Sequence, residues 1–151
     1  MKDRKTKFFT RIAAIILRNG YVLAHERVDE HGAVYHALPG GKLEADESAV
    51  DCVIRELDEE FGLAITVGSL RYVGENFFTR RDRRRHEIAL YFAADLIDPH
   101  AEPQQREAGL VPRWLPLDDG LGRLRPSWLH DELPRVPAGD RSDQIKYVLD
   151  M

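Results

Sequence analysis

The chain has 151 residues, 43% of them hydrophobic and 32% charged, with a net charge of −4. That length suits one domain with its own core, and the composition excludes a disordered tail or a chain built of membrane spans. One cysteine, Cys52, excludes an intramolecular disulfide and fits a reducing, cytoplasmic setting.

The basic start MKDRKTKFF runs into apolar residues, but Arg11 leaves only residues 12–17 uninterrupted. That is far short of the roughly 20 apolar residues of a membrane span, and no small-residue cleavage pattern follows. No membrane partner is therefore expected. Asn19-Gly20 joins two β-rich runs, and both residues tolerate the positive φ of a tight hairpin. After the loop DEHGA, the segment VYHAL enters Pro39-Gly40-Gly41, through which no helix can run.

Residues 46–61 read as a helix whose apolar face is Val50, Val53, Ile54, Leu57 and Phe61, stopped at Gly62. AITVGSLRYVGENFF and HEIALYFAADL read as two strands separated by an arginine-rich loop, TRRDRRR. PRWLPL is a further strand, PSWLHDEL a short helix and QIKYVLD a closing strand or helical turn. With no repeat and no long linker, the pattern predicts a single domain over 1–151, an α+β fold on a mixed sheet.

Residues 41–63, GKLEADESAVDCVIRELDEEFGL, hold eight acidic side chains against two basic ones. Crowded carboxylates repel unless something positive lies among them. On a helical wheel Glu56, Glu59 and Glu60 gather on one face, roughly opposite the apolar stripe, and Arg55 is the lone cation in the helix. A solvated face with i,i+4 ion pairs is the ordinary explanation of such a run, but the partners for those pairs are missing. An oxygen-rich cluster on a rigid helix suits a hard divalent cation, held by carboxylates together with water and substrate phosphates. Gly40 and Gly41 let backbone atoms approach the same ion closely.

Gly41, Glu47, Arg55, Glu56, Leu57, Glu59, Glu60, Gly62 and Leu63 fit G-x5-E-x7-R-E-U-x-E-E-x-G-U at every defined position, where U is a bulky aliphatic residue. The segment thus resembles the Nudix box. The resemblance is strongest over residues 36–63 and extends loosely to the first hairpin and to RWLPLDD. It implies a Nudix fold, an α/β/α sandwich around a mixed β-sheet, and hydrolysis of nucleoside diphosphates linked to another moiety with Mg²⁺ or Mn²⁺. It also implies roles: Glu59 and Glu60 as principal metal ligands, and Glu56 as a further ligand or as the base for the attacking water. Arg55 would orient the carboxylates, Glu47 would support them or bind a second metal, and Gly40 would offer its carbonyl. Many members are dimers, so a homodimer is compatible with the resemblance.

Outside the box, Arg80, Arg81, Arg83, Arg84 and Arg85 are either a solvated hairpin tip or an anion clamp, with Arg81, Arg84 and Arg85 the chosen substrate-binding residues. A nucleic-acid partner is disfavoured because the chain is acidic overall and no aromatics interleave with these arginines. Glu87, Glu102 and Glu107 are candidates for the extra base or metal ligand that the resemblance implies, with Glu107 and Glu87 preferred; for each, an ordinary surface carboxylate is the plainer reading. Cys52 reads as a small packed residue. Tyr21, Phe78, Tyr91 and Trp114 are core residues or base-stacking platforms, and His25, His36 and His86 lack metal-site spacing.

Signatures of the ADP-ribose, NADH and coenzyme A hydrolase subgroups are absent. The main expectation is a metal-dependent pyrophosphohydrolase of a small nucleotide derivative, including a nucleoside triphosphate. The alternatives are a catalytically idle nucleotide or ADP-ribose sensor, against which the intact acidic cluster argues, and an RNA 5′-end pyrophosphohydrolase, which rests on the arginine segment alone.

Overall fold

A computed structural model describes residues 5–136 and 144–151. In chain order it contains β1 (Lys7–Arg18), β2 (Tyr21–Val28), β3 (Val34–Ala37), β4 (Gly40–Lys42), α1 (Ala49–Phe61), β5 (Ile65–Arg80), β6 (Arg83–Leu96), β7 (Val111–Pro116), α2 (Leu129–Glu132) and β8 (Lys146–Asp150), with a 3₁₀ turn at Leu133–Arg135. The strands form one mixed sheet in the order β3-β2-β1-β6-β5-β8, with β4 paired to β1 and β7 to β2. Asn19 and Gly20 both take positive φ at the first hairpin, as their sequence predicts.

β1 is the centre of the molecule because its alternation serves two cores. Ile12, Ala14 and Ile16 pack with Leu23, Cys52, Val53, Leu57 and Phe61 beneath α1. Ala13 and Ile15 face the other way, into Val22, Ala24, Tyr91, Leu124, Leu129 and Leu133. Period-two alternation thus covers both faces of one strand, giving a helix–sheet–helix layering.

Several boundaries differ from those read in the sequence. α1 starts at Ala49, not residue 46: Asp46 has φ 65°, and the Ser48 hydroxyl caps the helix by accepting the Asp51 N–H at 3.0 Å. Its end agrees, with Gly62 in the left-handed conformation. The buried face is rotated from the expected stripe, leaving Val50 and Ile54 each 39% exposed while Cys52 and Glu60 are buried. The arginine segment is no loop. Arg81 and Asp82 form a two-residue turn at positive φ, so Arg80 ends β5 and Arg83, Arg84 and Arg85 alternate along β6. β4, at three residues, is too short to announce itself in the sequence. No helix among the described residues is long and apolar enough to cross a membrane.

Gly40 of β4 sits so tightly on β1 that a Cβ there would overlap the Ile12 carbonyl, and its φ is 153°. The clash is with backbone, which cannot swing aside as a side chain can. Gly40→Ala should lower unfolding stability by about 1–3 kcal/mol, read from the urea midpoint. A wild-type midpoint would show that β4 can move away from β1.

His25 on β2 is 1% exposed, and its Nδ1 has no hydrogen-bond partner among the described residues. Burial, helped by the charges of Arg11 and Arg27, lowers its pKa to about 3. The folded state therefore refuses a proton that the unfolded chain accepts below about 6.5, so stability is lost as pH falls from there towards 3. The loss from this residue should approach roughly 1.4 kcal/mol per pH unit. Urea midpoints at pH 7 and pH 5 should differ more in the wild type than in His25→Asn; equal differences would remove His25 from the account.

Candidate active site

Arg55 organises the acidic segment. Its Nη2 and Nε donate to the two Glu47 oxygens at 2.7 and 3.1 Å, and its Nη1 donates to Glu56 at 2.9 Å and Glu59 at 3.2 Å. Glu44 lies 3.8 Å away. Repulsion within the helix is thus partly relieved by its single cation, contrary to the expectation that nothing in the helix relieves it. The planar guanidinium can bridge several carboxylates where an ammonium would not. Hydrogen bonds from Arg55, with the Glu44 backbone N–H, hold the Glu47 carboxyl down at about 2.

Four carboxylates around one guanidinium still leave an excess of negative charge, and Glu60 stands outside this network. It is 4% exposed, and its Oε2 is buried without a partner among the described residues. Burial raises its pKa to about 8, with Glu56 and Glu107 adding to the rise against Arg11 and a backbone bond from Gly40. Burial raises Glu56 as well, with contributions from Glu59 and Glu107 that oppose Arg55. The expectation that all three helix carboxylates lie opposite the apolar stripe fails at Glu60, which sits on the buried side with Leu57 and Phe61. Cys52 is packed, as its size suggests, and burial pushes its thiol up to about 12.

Among the described residues no three His, Cys, Asp or Glu side chains converge as a ready metal-binding group. Arg55 draws the Glu56 and Glu59 heads towards itself. The donor set nonetheless fits a hard divalent cation: all oxygen, in charge excess, with one buried carboxylate oxygen left unbonded. Glycine at position 41 keeps the approach open, since a Cβ there would collide with the Glu56 carboxylate. Gly40 meets Glu60 through its backbone N–H, whereas the resemblance implies a role for its carbonyl.

The candidate residues outside the helix separate. The segment 104–107 docks on the end of α1 through Gln104 N–H to Phe61 O at 2.9 Å and Arg106 N–H to Glu60 O at 3.1 Å. This brings the Glu107 charge to bear on Glu56 and Glu60. Glu102 instead pairs with Arg18 at 2.7 Å. Glu87 lies elsewhere, lining a groove of about 870 Å³.

That groove runs over the sheet and reaches Gly40, Gly41 and Lys42; the Glu56 carboxylate lies against Gly41 but does not itself line the groove. Arg11, Arg27, Lys42, Arg80, Arg81, Arg85 and Arg125 line it, against Asp29, Glu30, Glu87 and Asp150. Of the three arginines chosen from the sequence, Arg81 and Arg85 line it, and Arg85 has a buried Nε without a partner among the described residues. Arg84 does not; its guanidinium lies 5.7 Å from the Phe77 ring centre. The alternation of β6 separates it from Arg85. Lys42 is crowded by cations: the adjacent Lys7 ammonium, burial, and the charges of Arg85 and Arg83 lower it to about 8. Phe78 and Tyr91 line the groove, while Tyr21 and Trp114 do not.

Sequence reading missed Arg11, Arg125 and Asn76. Arg11 had a signal, a cation breaking an otherwise apolar strand; its Nη2 donates to Leu38 O at 2.5 Å. Arg125 had none, since its place comes from the chain folding back so that it stacks 4.3 Å from the Tyr35 ring centre.

The family model described as the NUDIX domain matches residues 8–134. An ADP-ribose pyrophosphatase of Methanocaldococcus jannaschii is 35% identical over 86 residues, 57% of this chain and 50% of that protein. A CTP pyrophosphohydrolase of Escherichia coli is 41% identical over 63 residues, 41% of this chain and 47% of that protein. The chain thus spans about half the length of the curated relatives it matches. Among solved structures, the MutT protein from Methanosarcina mazei Go1 has a TM-score of 0.68 at 24% identity, covering 92% of this chain and 99% of that one. The E. coli ORF135 protein has a TM-score of 0.64 at 28% identity, covering 91% and 96%. With its complete motif, its mixed sheet and this match over most of its length, the chain belongs to the NUDIX family.

Proposed function

We propose that the chain is a divalent-metal-dependent pyrophosphohydrolase that cleaves a diphosphate linkage in a small nucleotide derivative by attack of water at phosphorus. The observation that carries this reading is the buried, unbonded Glu60 carboxylate oxygen in an acidic cluster, with a cationic groove reaching the Gly40–Gly41 backbone against which Glu56 lies. An acidic cluster alone would repel a diphosphate, and a cationic groove alone would bind it without chemistry. The names of the two curated relatives, one an ADP-ribose pyrophosphatase and one a CTP pyrophosphohydrolase, support the same reaction class.

Glu59 and Glu60 would hold Mg²⁺ or Mn²⁺, with Glu56 as a further ligand or as the base for the attacking water, and Glu47 and Glu107 as supporting carboxylates. When bound, such an ion neutralises phosphate charge and acidifies a coordinated water. The protein's own part is distinct. Arg11, Lys42 and Arg85 bind the phosphate oxygens in the groove and fix the linkage beside the cluster. Glu56, whose burial favours the protonated form, is suited to take a proton from water and release it again. Arg55 keeps Glu56 and Glu59 oriented throughout the cycle.

Hydrolysis of a panel of nucleoside triphosphates, dinucleotides, ADP-ribose and nucleotide sugars should require Mg²⁺ or Mn²⁺ and stop with EDTA. Silence across the panel from a folded protein that still binds nucleotide would favour the sensor reading. Glu59→Gln and Glu60→Gln should each lower kcat by roughly 10²-fold or more without unfolding the chain, since each removes a charge used in the transition state. Wild-type turnover in a folded Glu60→Gln protein would overturn the assignment.

Arg85→Ala should act differently, raising KM about tenfold with a smaller effect on kcat, because a phosphate contact made in ground and transition states alike is lost. An unchanged KM would move the phosphates away from β6.

A further inference from the structure

The groove has a floor that phosphate chemistry does not explain. Asn76 and Glu87 face each other across the β5–β6 pair, and both are almost buried, at 4% and 8% exposure. Asn76 Nδ2 donates to Glu87 Oε1 at 2.9 Å, and Trp128 Nε1 donates to Asn76 Oδ1 at 3.3 Å. An indole nitrogen can only donate, so Trp128 fixes which end of the amide is oxygen. The amide nitrogen is thereby committed to Glu87. Glu87 is left with Oε2, an acceptor that no described side chain bonds, in a groove it lines with Phe9, Phe78 and Tyr91. Gly74 completes the arrangement, since a Cβ there would press on Trp128.

A carboxylate kept in an arginine-rich anion site works against phosphate binding, so its presence calls for a donor on the substrate. Glu87 pairs with Phe9 in the β1–β6 register and shares its strand face with Arg85 and Tyr91, so it has both cations and ring faces of the groove as neighbours.

Resting on the reading of the groove as a nucleotide site, we propose that Glu87, locked by Asn76 and Trp128, reads the nucleobase by accepting a hydrogen bond from its exocyclic amino group. Amino-bearing bases are thereby favoured over their keto counterparts, which would set a carbonyl oxygen against the carboxylate. Phe9 and Phe78 supply apolar ring faces beside it. Glu87 is in this account a specificity residue and takes no part in moving the proton of the attacking water.

The test compares matched pairs that differ at that group, CTP with UTP and ATP with ITP, by kcat, KM and calorimetric binding. The wild type should favour the amino member by about tenfold or more, the worth of one hydrogen bond to a charged group. In Glu87→Gln, Asn76 holds the new amide by its oxygen and turns its nitrogen to the groove. The preference should therefore invert towards the keto member through KM and the dissociation constant, with kcat little changed. A uniform loss of kcat for all four, with the ratio within each pair unchanged, would make Glu87 part of the chemistry and overturn the proposal. Equal affinity for both members of each pair in the wild type would overturn it without any variant, and would point to the shared ribose. Discrimination in binding without turnover would sustain this inference while the hydrolase reading fell.

Discussion

One guanidinium must serve most of the carboxylates on and before α1, and the order of the site follows from that constraint. Arg55 has donors enough to bond Glu47 twice and still reach Glu56 and Glu59, with Glu44 close by. Because it is shared, it neutralises none of them fully. The turn before the helix is tied to the helix through Glu47, and the heads of Glu56 and Glu59 are held in place before any substrate arrives. Preorganisation of this kind puts the cost of ordering like charges into folding and not into the reaction. Glu60 lies beyond the reach of that fork, and its burial above all, with the charges of Glu56 and Glu107, makes the ionised form costly without a counter-ion.

Close backbone packing makes the second requirement. β4 is three residues long, yet it brings β1 against the helix and forms the border between the acidic cluster and the cationic groove. Gly40 cannot carry a Cβ because of the Ile12 carbonyl, whereas a Cβ at Gly41 would displace the Glu56 carboxylate. The two glycines therefore meet two different steric limits, one belonging to the fold and one to the site. Lys42, next in line, belongs to the opposite charge population, crowded by Lys7, Arg83 and Arg85. Three consecutive residues thus pass from one electrostatic regime to the other.

The sequence by itself determined the fold class and the chemical character of the helix. Those properties are local: the Asn19-Gly20 turn, the strand alternation, the Gly62 stop and the spacing of Arg55, Glu56, Glu59 and Glu60 all act within a few residues. Periodicity fixes which residues share a helix face, but not how the helix is rotated against its sheet. That is why Val50 and Ile54 were expected inside and Glu60 outside, and why packing against β1 decided otherwise. Tertiary structure alone also decided the groove, because its walls come from strands far apart in sequence. Arg85 enters it and Arg84 does not by the parity of one strand, Arg125 arrives by a long return of the chain, and Asn76 meets Glu87 only through the register of β5 on β6. Long-range pairing and parity settle which of many similar side chains share a surface, and nothing in a single segment encodes them.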